Sequence, residues 1–150
     1  MTILHDTFTL ERTFDSTPKE VWHAWTDPEL RTRWFHAPPG WHMIERTLAF
    51  KVGGGEVMHG KMPNGTDTRF VSRYHAIVPE RSIILDYDMH VGGSMMSVSL
   101  ATLSLEAANP GTRLLYTEQG VYIDGNPESP AGRKKGTSWH LDNLVELLAK

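Results

Sequence analysis

The sequence predicts an α+β domain: a curved antiparallel sheet of six to seven strands, two short helices after the first strand, and one long C-terminal helix. Three observations carry this. Apolar and polar residues alternate over most of residues 44–122, hairpin signals such as Asn64-Gly65 and Asn109-Pro110-Gly111 keep the connections short, and the pattern turns helical after Ser129.

The first strand is Thr7 to Phe14, where Phe8, Leu10 and Arg12 oppose Thr9, Glu11 and Thr13. A helix follows at once. Thr17-Pro18-Lys19-Glu20 reads as a capping box with proline at the first helical position, and Val21, Trp22 and Trp25 form its apolar stripe. Asp27-Pro28 ends that helix and caps a second one, on which Leu30 and Trp34 sit four apart and share a face. The stretch RWFHAPPGWHM comes next. Trp34 and Phe35 end the second helix, Pro38-Pro39-Gly40 forces an extended turn, and Trp41 returns toward the sheet; His36 and His42 are predicted to face solvent.

The meander begins with Ile44, Leu48, Phe50 and Val52 at alternate positions, and Gly53-Gly54-Gly55 ends it. Glu56 to Met62, Arg69 to Ile77, Ile83 to Met89, Ser97 to Glu106 and Leu114 to Tyr122 supply the remaining strands. Ser129-Pro130 reads as an N-cap with a first-turn proline. From there the stripe Thr137, Leu141, Leu144, Val145 and Leu148 carries about 20 residues of helix, or ~30 Å, enough to cross a sheet.

A twisted sheet of this size curls, and one helix across its concave face cannot touch every inward side chain. A cavity is expected beneath it. Gly132, Gly136 and His140 recur at four-residue spacing on one side of the helix, although each glycine costs about 1 kcal/mol of helix stability relative to alanine. Either the helix packs closely on a strand there, or the space is kept for a ligand. The parity of the second strand sets Arg46 on the inward face. A buried guanidinium needs an acceptor, for which Glu118 is the leading candidate and Glu45, Glu56 and Asp86 the others. Tyr74, Tyr87 and Tyr116 fall on inward parities as well.

Composition bounds the function. A chain of 150 residues suits one domain spanning 1–150, and no apolar run is long enough to span a bilayer, so a cytoplasmic protein is expected. The net charge is -3 and the only basic run is Arg133-Lys134-Lys135, which argues against nucleic acid as a partner. Zero cysteines remove thiolate chemistry. The 8 histidines include no pair at metal-ligand spacing, no G-x-S-x-G elbow occurs, and the triple glycine lacks the Lys-Ser/Thr of a phosphate loop. No metal and no cofactor are implied.

The segments STPKEVWHAWTDPELRTRWF, LAFKVGG, YHAIVPERSIILDYDM, SVSLATLSLEAANPGTRLLYTEQG and GTSWHLDNLVELL together resemble the SRPBCC superfamily, also called START-like or birch-pollen-allergen-like. Within it they look most like the domain related to activators of the heat-shock protein 90 ATPase, from about Thr7 to Leu148. The resemblance implies a helix-grip fold whose two short helices close one end of a hydrophobic cavity, with the Trp34–Trp41 segment over its mouth. It also implies the range of roles seen in that superfamily: binding of lipids, sterols, polyketides or hormones, and in some members cyclase or dehydratase activity. Eukaryotic co-chaperone relatives carry a further N-terminal domain, for which 150 residues leave no room. Where the family pattern has an aliphatic residue, this chain has His140.

The leading expectation is therefore a domain binding a hydrophobic small molecule, aromatic or polyketide-like. Its candidate ligand-binding residues are Trp34, Phe35, Trp41, Arg46, Phe50, Tyr74, Tyr87, Tyr116, Glu118 and His140. The alternative is a polyketide cyclase or dehydratase using the same cavity, with Arg46 or a tyrosine polarising a carbonyl and His140 moving a proton. A third reading is a chaperone-associated interaction protein or a homodimer.

Overall fold

The computed structural model describes residues 2–150. In chain order the elements are β1 (Leu4–Phe14), α1 (Pro18–Thr26), α2 (Pro28–Trp34), β2 (His42–Leu48), β3 (Glu56–Lys61), β4 (Asp67–Val78), β5 (Ser82–Val91), β6 (Ser94–Ala107), β7 (Thr112–Tyr122) and α3 (Ser129–Leu148). The seven strands form one antiparallel sheet in the order β1-β7-β6-β5-β4-β3-β2, a meander closed at one edge by the N-terminal strand.

The start signals act as the sequence predicts. Thr17 Oγ1 accepts from the Glu20 amide, Glu20 Oε1 accepts from the Thr17 amide, and Asp27 caps α2 through the Leu30 amide at 3.0 Å. Val21, Ala24 and Trp25 of α1 and Trp34 of α2 are buried, and Trp34 Nε1 donates to the Ala24 carbonyl at 2.9 Å. That bond ties the two short helices together.

Two local expectations are corrected. The N-cap of α3 is Glu128, while Ser129 is the first helical residue and donates to Asp124 Oδ2 at 2.6 Å. In addition, β2 stops at Leu48, and a bulge between Met43 and Glu45 shifts its register. A bulge adds one residue to one strand and so reverses the side-chain alternation across it. Ile44 is consequently exposed, as is Val52 beyond the strand's end, whereas Arg46 keeps to the concave side.

The triple-glycine turn docks on β4. Gly53 N donates to the Tyr74 carbonyl and Tyr74 N to the Gly54 carbonyl, both at 2.9 Å. Gly53 has φ +84, and a Cβ on Gly55 would stand 1.8 Å from the Ser72 carbonyl oxygen, so no side chain fits there. This close approach is what launches Glu56, the next residue, into the interior.

The helix α3 packs against β1, β7 and α2, with Leu141 and Leu144 buried against the core. It therefore sits toward one end of the sheet. Room is left between its N-terminal half and the concave face of β3, β4, β5 and β6.

Candidate ligand cavity

That room is a cavity of about 730 Å³, in the size range of small-molecule sites. Its floor is the sheet, where Met58, Phe70 and Met89 form a cross-strand row and Leu85, Tyr87 and Tyr116 a deeper layer. Its roof is α3, and its mouth is the segment from Trp34 to Met43. Gly132 and Gly136 both line it, and a Cβ built on either meets nothing within 4 Å. Close packing is thus not why they are glycines. They face open space.

Of the ten residues singled out in the sequence, Trp34, Phe35, Trp41, Tyr87, Tyr116 and His140 line the cavity, and the other four lie around it. Phe50 and Tyr74 pack on each other edge to face at 4.9 Å, with Trp22 behind Phe50, in the layer under α1. Glu118 is fully buried below the floor. Arg46 stands at the end of the Met58 row, just outside the wall. His36, expected in solvent, is half-buried, with its ring edge-on to Trp139 at 5.4 Å; His42 is exposed.

The leading pairing of Arg46 with Glu118 does not form; Arg46 meets Glu56, one of the alternatives named from the sequence, and two separate ionic clusters result. In the first, Arg31 Nε and Nη2 donate to both oxygens of Glu56 at 2.8–3.0 Å, and Arg46 Nη2 donates to the same carboxylate at 3.4 Å. The Arg31 guanidinium also lies 5.0 Å from the Trp25 and Trp34 rings and 4.2 Å from that of Phe35. Burial is the largest single influence on Arg31 and would weaken its hold on its proton, but Glu56 together with Tyr74 and Tyr116 outweighs it and the pKa is raised; for Arg46, burial wins and the pKa is lowered.

In the second cluster, the Tyr87 and Tyr116 hydroxyls donate to Glu118 at 2.8 Å. Arg133 Nη1 lies 3.6 Å from the same carboxylate and donates to the Tyr87 oxygen at 2.9 Å, while its Nη2 donates to Ser97 Oγ at 2.7 Å. Burial, reinforced by Glu118, pushes both phenols far above the ordinary tyrosine range, so they remain donors.

His140 hangs from α3 into the wall, 4.8 Å from the Phe35 ring, with Nε2 bonded to the His36 carbonyl at 2.9 Å. Burial, aided by the neighbouring cations, lowers its pKa to about 4. It is a neutral donor at physiological pH.

Arg31 and Arg133 were not singled out from the sequence as cavity residues, yet each had a signal; Glu56 was named there only as an alternative acceptor for Arg46. Arg31 lies three and four residues before Trp34 and Phe35 on one helical face, and the stripe through Thr137 and Leu141 reaches Arg133 one turn earlier. A charged run, Arg133-Lys134-Lys135, hid the inward arginine among outward lysines.

Among the described residues no helix is long and apolar enough to cross a membrane, and no three His, Asp or Glu side chains gather where they could hold a metal.

The sequence model of the family described as Activator of Hsp90 ATPase homolog 1-like protein matches residues 15–149. No curated protein matches the chain. Among solved structures, the Mll3558 protein from Rhizobium loti is 38% identical with a TM-score of 0.90, covering 99% of this chain and 100% of its own. A protein from Rhizobium leguminosarum is 34% identical with a TM-score of 0.91, covering 98% and 96%. The CV1439 protein from Chromobacterium violaceum, at 24% identity and TM-score 0.75 over 96% and 97%, shares the fold. A family match over nearly the whole length, joined to relatives that share the fold from end to end, leads to one conclusion: the chain belongs to the Activator of Hsp90 ATPase homolog 1-like family of the SRPBCC superfamily.

Proposed function

We propose that the protein binds a small apolar molecule, aromatic or polyketide-like, in the cavity between α3 and the sheet. The observation that carries this reading is the pair Gly132 and Gly136, which face open space on a helix they weaken. Alanine at both positions would stabilise the helix and fill nothing already occupied, so the thin roof serves the cavity rather than the fold. The lining supports the same reading. Phe35, Trp41, Tyr87 and Tyr116 offer ring faces for stacking, and Met58, Met62, Met89 and Met96 offer flexible thioethers that adapt to a ligand's outline.

Binding is favoured over turnover by the acid-base groups themselves. Glu118, fully buried below the floor, already accepts from two phenols and so is not placed to move a proton on a guest, and His140 is tied through Nε2 to the His36 carbonyl, leaving Nδ1 alone free.

Native mass spectrometry of freshly purified protein tests the proposal, together with titration by the neutral dye N-phenyl-1-naphthylamine. A co-purifying small molecule, or saturable dye fluorescence lost in Gly132→Leu, is the expected result. A bare mass with no dye binding would contradict it.

A further inference from the structure

The two ionic clusters beside the cavity, which reach its lining through Arg31 and Arg133, differ in their charge balance. Arg133 faces Glu118 one to one, but Arg31 and Arg46 share Glu56. Among the described residues Glu56 is the one carboxylate hydrogen-bonded or ion-paired to either of those arginines, so the Phe35 end of the cavity holds one uncompensated positive charge. Donors are in surplus there too. Arg31 Nη1 and Trp25 Nε1 are buried with no acceptor, both belong to residues lining the cavity, and Arg31 is only 4% exposed. Arg46 engages its fork in a single 3.4 Å bond. An unpaired buried donor or charge is costly, and the neighbouring His140 offers the arginines no negative charge in any protonation state.

We propose that the ligand is an apolar acid. Its ring body lies over Met58, Phe70 and Tyr87, and its carboxylate enters the Phe35 end to complete the coordination of Arg31 and Arg46. The Phe35 ring, half-buried at the wall, stacks on the Arg31 guanidinium and lies 5.8 Å from that of Arg46. Arg31 is 4% exposed, so the proposed carboxylate reaches its Nη1 only with a shift of this neighbouring ring. A carboxylate suits the site because it accepts from planar forks in pairs, and such charge-assisted bonds are about twice as strong as neutral ones. The inference rests on the reading of the cavity as a binding site.

The test is displacement of N-phenyl-1-naphthylamine from the full chain by two guests of matched shape, naphthalene-2-acetate and naphthalene-2-acetamide, at about pH 8, where the acid is ionised. The acid is expected to displace the dye at a concentration roughly tenfold lower than the amide. Arg46→Gln should remove most of that preference; taking the ratio of the two guests within one variant cancels any general loss of folded protein. An amide as effective as the acid in the native chain overturns the inference, as does an undiminished preference in Arg46→Gln. Dye that never binds removes the cavity reading, and this inference falls with it.

Discussion

Arg31 and Glu56 form a fork-to-carboxylate pair with three hydrogen bonds of 2.8–3.0 Å, both side chains buried, joining α2 to the first residue of β3. Breaking such a pair from one side leaves a buried charge alone, which costs about 3–5 kcal/mol. Glu56→Leu, which leaves the buried Arg31 with no counter-charge, is expected to lose stability on that scale in urea unfolding, and Arg31→Leu, which leaves Glu56 its bond to Arg46, somewhat less. The double variant should lose less than the two single losses added together, because only Arg46, itself partly solvated, is then left without a carboxylate. Strict additivity would show that the pair does not act as a unit.

His140 makes stability depend on acidity. Its ordinary pKa of 6.5 falls to about 4 in the folded chain, chiefly through burial. Between those values the unfolded chain takes up a proton that the folded chain refuses. Stability is therefore fullest above pH 6.5 and declines as pH drops toward 4, by roughly 3 kcal/mol in total. The difference between wild type and His140→Leu, read from urea midpoints across this window, isolates the effect from the carboxylates. A constant difference with pH would show that the imidazole can ionise in place.

Gly132→Ala and Gly136→Ala should separate stability from binding. Each methyl enters open space, so each variant is expected to gain about 1 kcal/mol of helix stability. Each methyl also narrows the cavity, so dye affinity should fall, further in the double variant. Thermal melts and dye titrations on the same samples check both signs. A loss of stability would mean that the helix approaches the sheet more closely than these distances allow.

The two tryptophans flanking the mouth should behave differently. Trp34 is 1% exposed and packs on Trp25 at 4.7 Å, so Trp34→Ala is expected to cost about 3–5 kcal/mol. Trp41 is half-buried on the loop before β2, and Trp41→Ala should leave the urea midpoint nearly unchanged while weakening the dye. Equal effects of both on stability would return Trp41 to the core.

Much of the fold was legible because its signals are local. The capping box at Thr17, the second cap at Asp27 and the strict alternation along β5 and β7 each act within a few residues. The inward placement of Tyr87, Tyr116 and Glu118 followed from that alternation alone. The partner of Arg46 was not legible in the same way. Alternation says which face a side chain takes but not which neighbour it meets, and Glu56 reaches the first cluster only because Gly55 lets the chain press against Ser72. The bulge beside Ile44 has no mark in the residues around it. Arg133 shows the remaining limit: a side chain on the inner face of a helix reads as surface when its two neighbours are lysines.

The central claim is that α3 and the curved strands enclose space that the protein's own side chains leave empty. A crystal structure of the protein with bound N-phenyl-1-naphthylamine tests it most directly. The account predicts aromatic density between Gly136 and Tyr87, with α3 in place above it. Dye found only on the outer surface, with α3 lowered onto β5 and no void beneath, would contradict it.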